Sequence, residues 1–175
     1  MPYPLWNYYP RNVRPPEWVN GLVATVAEMS GTISTVDQRT GLSSDDVLRE
    51  LAPGLTSLGY VVESGKSKAA KIFRPVLFGD NGMPEVSYEI DAFHDDLGIA
   101  VEVEAGRGAA NNADYRDIVR TSLILDASYL ALLMPITYRS TTSIPAFSRA
   151  RQQLEAIYAS NRLKLPFSGV LLVGY

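Results

Sequence analysis

Three acids, Asp91, Glu102 and Glu104, are spaced so that they can act on one point in space. They belong to the run Glu89-Ile90-Asp91-Ala92-Phe93-His94-Asp95-Asp96-Leu97-Gly98-Ile99-Ala100-Val101-Glu102-Val103-Glu104, which reads as two strands around a turn. Strand alternation puts Glu102 and Glu104 on one face and Val101 and Val103 on the other. With Asp95 and Gly98 closing the turn, Asp91 lies directly opposite Glu102. Like charges opposed across a ladder repel, and a hard divalent cation reverses that penalty, because Mg²⁺ takes one or two carboxylates together with water and substrate phosphate. A solvent-facing polar hairpin without a ligand fits the same alternation. The flanking apolar runs Ile90-Ala92 and Ile99-Ala100-Val101-Val103 argue for a central hairpin, and the segment leads into Ala105-Gly106-Arg107-Gly108, a basic corner that opens the next helix.

The charge distribution points to the same segment. The 175-residue chain carries 16 Lys+Arg and 19 Asp+Glu, a net charge of −3. Eight of the acids lie between Asp80 and Glu104, where there is no Lys or Arg, so the remainder carries 16 − 11 = +5. A pI of about 5.2 therefore does not exclude an anionic polymer as partner. The absence of cysteine excludes disulfide frameworks, thiolate zinc sites and cysteine nucleophiles, and a single histidine, His94, excludes two-histidine metal motifs. No apolar run is long enough for a membrane span and there is no secretory leader pattern, so a cytoplasmic location without membrane contact is expected.

The elements that must position these acids follow from periodicity and caps. Met1 to Pro16, with five prolines among its aromatics, reads as an extended arm strapped onto the core. A helix is expected from Pro15-Pro16-Glu17 to Met29, built on Trp18, Leu22, Val23 and Val26. Ser43 with Asp46 caps a second helix that buries Val47, Leu48, Leu51, Leu55 and Leu58, kinks at Pro53 and stops at Gly59. Strands are expected at Tyr60–Glu63, Lys71–Phe78, Val86–His94 and Ile99–Glu104. A helix from Asn111 to Leu125 buries Tyr115, Ile118, Val119, Ser122 and Leu123; a buried parallel strand follows from Ser128 to Met134, then a helix from Pro145 to Ser160 and a last strand from Phe167 to Val173. This order specifies an α/β domain over 1–175, with a central mixed sheet flanked by helices.

Asp91, ten intervening residues and Glu102-Val103-Glu104 resemble the motif of the PD-(D/E)XK, or restriction endonuclease-like, nuclease superfamily, and the order helix, three-strand meander, helix, strand over residues 43–135 is similar to its αβββαβ core. Ile90 stands where the family name has Pro. Glu104 stands where the motif has Lys, and Val101-Glu102-Val103-Glu104 looks similar to the variant of BamHI- and BglII-type restriction endonucleases. The resemblance implies Asp91 and Glu102 as ligands of Mg²⁺ or Mn²⁺, Glu104 orienting or deprotonating the attacking water, and a further acid from the first core helix, with Glu50 as candidate and Glu63 as rival. It implies a restriction endonuclease-like fold and hydrolysis of phosphodiester bonds in double-stranded DNA, by a homodimer where both strands of a symmetric site are cut. A nuclease-fold domain that has lost catalysis with its lysine and binds DNA or a protein, and a hydrolase of a smaller phosphate ester, are the alternatives.

The remaining polar residues divide the same way. Lys68, Lys71, Arg74, Arg107, Arg116 and Arg120 are candidate contacts to DNA phosphates, and Lys71 or Lys68 could supply the cation missing from the motif. Lys66, in the same Gly-containing loop, suits solvent or DNA backbone. Arg116 and Arg120, four apart on one helix face, either pair with Asp117 and solvent or line a phosphate groove. His94 suits a turn cap; Arg139, Arg149 and Arg151 suit surface charge or phosphate contact.

Overall fold

Apolar strands stacked edge to edge form a mixed six-stranded sheet that helices cover on both faces. The computed structural model describes residues 3–36, 41–105, 112–139, 143–160 and 162–175. In chain order these form β1 (Leu5–Tyr9), α1 (Trp18–Glu28), the single turn α2 (Ser30–Ile33), α3 (Ser44–Ser57) and β2 (Val61–Val62). β3 (Ile72–Phe78), β4 (Pro84–Ile90), β5 (Ala92–His94), β6 (Ile99–Val103) and α4 (Ala113–Ser122) follow. β7 (Tyr129–Met134), the short pair β8 (Tyr138–Arg139) and β9 (Ser143–Ile144), α5 (Ala146–Ser160) and β10 (Gly169–Gly174) complete the chain.

The main sheet has the order β1-β10-β7-β6-β5-β2. β6, β7 and β10 are parallel neighbours, whereas β1, β5 and β2 are antiparallel to theirs. The parallel strands read as nearly unbroken apolar runs because both of their faces are buried. One face, with Val101, Val103, Ala131, Leu133 and Leu171, packs on α1, α2 and α3 through Leu22, Ile33, Leu51 and Leu55. The other, with Ala100, Leu130, Leu132 and Leu172, packs on α4 and α5 through Ile118, Phe147 and Leu154.

The N-terminal arm is strapped onto the core as expected, and it does so as an edge strand, β1, paired with β10. Three expectations are corrected. α3 runs through Pro53, with Ser43 capping Asp46 as expected, and Leu58 is 38% exposed, because only the Val47, Leu48, Leu51 and Leu55 stripe faces the sheet. The three-strand meander is split: β3 and β4 form a separate two-stranded ribbon, and only β5 continues into the main sheet. α4 is rotated from its expected orientation, as Tyr115, Val119 and Leu123 face outward and Asp114, Asp117, Ile118 and Thr121 face inward.

The hairpin register, by contrast, is as expected. Ala92 pairs with Val101, Phe93 with Ala100 and His94 with Ile99. Gly98 sets it: its φ is +61°, and a Cβ there would stand 2.6 Å from the Asp126 carbonyl oxygen. Gly98→Ala is therefore expected to cost at least about 2 kcal/mol in urea unfolding, from a left-handed conformation plus a backbone clash.

Candidate active site

Asp91 sits at the bend between β4 and β5, where the chain passes from the ribbon into the main sheet. Its side chain replaces a ladder bond there, Oδ2 accepting the Val103 N–H at 2.7 Å. Its carbonyl accepts the Glu63 N–H at 2.8 Å, which ties β2 to the same bend. One residue therefore turns the strand and presents a carboxylate beside β6.

Glu102 and Glu104 project from β6 and its extension onto the α4 side of the sheet, each with only 8% of its surface exposed. The Glu104 backbone is clamped on both sides, its N–H donating to Leu133 at 2.9 Å and its carbonyl accepting the Tyr175 hydroxyl at 2.6 Å. Over this pair lies Asp117 of α4, 1% exposed, whose Oδ2 is buried without a partner. Periodicity reading missed Asp117 because it counts apolar residues. The signal was present as Asp114, Asp117, Ile118 and Thr121, a helical stripe of mainly polar residues. Asp114 in that stripe is answered by the Gln153 amide of α5.

The cations are distributed unevenly around these acids. Arg116 bridges two of them, Nη2 at 2.9 Å from Glu104 Oε1 and Nε at 3.1 Å from Asp117 Oδ1. Arg120 donates to the Glu89 carbonyl at 3.2 Å, lies 5.5 Å over the Tyr88 ring and contributes positive potential at Glu102. Lys71 is paired with Glu63 at 2.8 Å and Glu89 at 3.4 Å. Arg74 is bound to Asp95 at 2.6 Å and stacked 4.3 Å over Phe93, at the turn end of the hairpin. Lys68 is exposed on an isolated 3₁₀ turn, and Arg107 lies outside the described residues.

Of the two candidate additional acids, Glu63 approaches Asp91 and Glu50 does not. The negative charge of Glu63 disfavours ionisation of Asp91, whereas Glu50 lines a groove between α1 and α3 with Thr25, Glu28 and Pro53. His94 caps the turn, Nδ1 accepting the Leu97 N–H at 3.4 Å with the ring edge-on to Tyr60. Arg151 makes a surface pair with Glu155, and Lys66 pairs with Asp45 in the open.

Burial and mutual repulsion dominate the electrostatics. Burial, with Glu63 and Asp117 adding, pushes the Asp91 carboxyl up to about 6, against the opposing Val103 N–H and Lys71. Burial and the charges of Asp91 and Asp117 hold Glu102 well above the usual carboxylate range. Glu104 is pushed up to about 9 by burial and by Asp117 at hydrogen-bonding distance, with Arg116 opposing. Two carboxyls can share a hydrogen bond only when one is protonated, so a proton on Glu104 would also satisfy the orphaned Asp117 oxygen. Among the described residues, Arg116, Arg120 and Lys71 are the cations set against Asp91, Glu102, Glu104, Asp117 and Glu63, a deficit of positive charge.

That deficit and the donor chemistry fit a hard divalent cation. All the candidate ligands are carboxylate oxygens, and Asp117 Oδ2 finds a partner within the cluster only while Glu104 keeps its proton. Among the described residues no three His, Cys, Asp or Glu side chains close on a metal by themselves.

The fold is restriction endonuclease-like. Among solved structures the chain is similar to the restriction endonuclease BglII complexed with a DNA 16-mer, at 15% sequence identity and a TM-score of 0.55, over 98% of this chain and 75% of that one. No protein-family model matches the chain, and no curated protein matches it in sequence. Among the described residues no helix is long and apolar enough to cross a membrane.

Proposed function

We propose that the chain is a Mg²⁺- or Mn²⁺-dependent endodeoxyribonuclease acting on double-stranded DNA, with the Glu-x-Glu variant of the PD-(D/E)XK site. The observation that carries the reading is the under-neutralised set of the half-buried Asp91 and the buried Glu102 and Glu104, gathered at the sheet bend of a restriction endonuclease-like fold. Asp91 and Glu102 would hold the cation. When bound, it supplies positive charge to a phosphoryl oxygen and acidifies water. Hydrolysis forms a bond from the water oxygen to phosphorus and breaks an ester P–O bond; the water proton passes to Glu104 and solvent protonates the departing alcohol. Glu104, held near 9 in the metal-free chain, becomes a base only when added positive charge lowers it. DNA as substrate rests on the neighbour's complex and on the +5 remainder of the chain. On a symmetric site a second copy would cut the other strand, and the outward stripe Tyr115, Val119 and Leu123 is apolar surface available to it.

Supercoiled plasmid incubated with the purified protein should be nicked in Mg²⁺ or Mn²⁺ and remain intact in EDTA, with Asp91→Ala at least 10³-fold slower. Binding of duplex DNA without nicking in either metal would instead support a catalytically inactive nuclease-fold domain, and nicking unchanged in Asp91→Ala would remove Asp91 from the site.

A further inference from the structure

The nuclease motif ordinarily carries a cation where this chain has Glu104, and the structure offers a replacement from a different element. We propose that Arg116 of α4 is the catalytic cation that contacts the scissile phosphate, and that Asp117 is the positioning residue that aims it. The inference rests on the nuclease reading and specifies which side chain supplies the positive charge. Three observations carry it.

The first is location. Among the described residues the Arg116 guanidinium is the cation bonded to Glu104, at 2.9 Å, whereas Lys71 pairs with Glu63 and Glu89, and Arg74 is bound at the far end of the hairpin. The second is the use of its donors. Arg116 spends Nε on Asp117 and one Nη2 proton on Glu104, leaving three of the five guanidinium N–H groups for another acceptor. Its side chain is 59% exposed while Glu104 and Asp117 are 11% and 2% exposed, so the free edge faces outward from the acids. A planar group held on its inner edge and open on its outer edge suits an approaching phosphate.

The third is the burial of Asp117. A carboxylate at 1% exposure, with one oxygen on the Arg116 Nε and the other facing only a second acid, makes little sense as a stability device, since a hydrophobic residue there would avoid the desolvation cost. It does make sense as a fixed anchor. Arg116 and Asp117 are adjacent in sequence, so the helix backbone fixes their relation, and Asp117 restricts the guanidinium to the side facing Glu104. In the substrate complex Arg116 exchanges its bond to Glu104 for one to a phosphate oxygen, freeing Glu104 to accept the proton of the attacking water.

The test compares wild type, Arg116→Ala, Arg116→Lys, Asp117→Asn and the surface control Arg151→Ala for plasmid nicking in Mg²⁺, and for duplex DNA affinity in Ca²⁺ by fluorescence anisotropy. Arg116→Ala is expected to lose about 10²- to 10³-fold in turnover while DNA affinity changes less than threefold, with Arg116→Lys intermediate. Millimolar guanidinium should restore part of the Arg116→Ala rate and none of an Asp91→Ala rate, a rescue that a purely structural role would not give. Asp117→Asn should lower turnover without changing KM, and Arg151→Ala should match wild type. Undiminished nicking by Arg116→Ala, or a loss that follows DNA affinity and is not rescued, overturns the proposal while leaving the nuclease reading standing. Failure of the wild type to nick at all removes both.

Discussion

Glu102→Gln is expected to abolish metal-dependent nicking, by 10³-fold or more, and at the same time to raise the thermal stability of the metal-free protein. Both effects follow from one cause. Glu102 is 8% exposed on a central parallel strand, with burial, Asp91, Asp117 and Glu104 disfavouring its charge against the opposing Arg120 and Arg116. Keeping an ionisable group there at neutral pH costs folding free energy, through proton uptake or through an ionised carboxylate in poor solvation. Glutamine has nearly the same shape without that cost. A gain of about 1–3 kcal/mol corresponds to several degrees in the melting temperature of a domain this size. The nicking assay and a thermal melt in EDTA read the two effects separately. A variant with full activity, or one inactive with a lowered melting temperature, would show that Glu102 serves the fold and not a cation.

Stability of the metal-free protein should fall as pH rises from 5 to 8, opposite to the behaviour of carboxylates stabilised by ion pairs. The sign follows from the direction of the shifts. Asp91 moves from 3.8 to about 6 and Glu104 from 4.5 to about 9, so the folded chain holds more protons than the unfolded chain throughout this interval. Wherever the folded state binds more protons, unfolding becomes easier as pH rises. The stabilisation present at pH 5 is lost progressively, Asp91 finishing near pH 6 and Glu104 continuing to about 9. A loss of order 3 kcal/mol is expected, which allows for the partial solvation of Glu104. Millimolar Mg²⁺ or Mn²⁺ at pH 8 should recover much of it, because ligand binding to the folded state adds stability by mass action. Melting temperatures that are flat from pH 5 to 8 in EDTA, or insensitive to either metal at pH 8, would contradict the account.

The hairpin was legible because its information is local. Strand alternation and a four-residue turn specify which side chains share a face, and the register Ala92 to Val101 follows from them. The buried strands β7 and β10 were legible as apolar runs for a similar reason. What escaped reading depends on partners distant in sequence or on side chains that take over backbone roles. β1 is a strand only because β10, more than 160 residues later, offers it an edge, and a proline-rich segment gives little sign of that. The break between β4 and β5 exists because the Asp91 carboxylate can take the Val103 N–H, a substitution that hydrophobicity does not record. The orientation of α4 was misread because the sheet beneath it presents Glu102 and Glu104. An acid-lined patch accepts Asp117 with Arg116 beside it, so Tyr115, Val119 and Leu123 turn outward. The pairing of Arg116 with Asp117 was legible, since the two are adjacent in sequence, but its bond to Glu104 depends on how α4 sits on the sheet.

The pairing of β1 with β10 divides the molecule in a way that bears on how it folds. From Glu63 to Arg120 the chain brings its acids and arginines together through a bend, a hairpin and one following helix, with contacts spanning up to 31 residues, far fewer than the β1–β10 pairing spans. The outer part of the sheet is closed by joining residues near opposite ends of the described chain. Short-range contacts form at low loop-closure entropy, and long-range pairings are slow and come late. The chemistry therefore resides in a segment that can organise early, while cooperative stability is completed by outer strands that reach the site through the Tyr175 hydroxyl, bonded to the Glu104 carbonyl at the end of β10. Changes along β1 can alter how long the folded state lasts with little effect on how the acids are arranged.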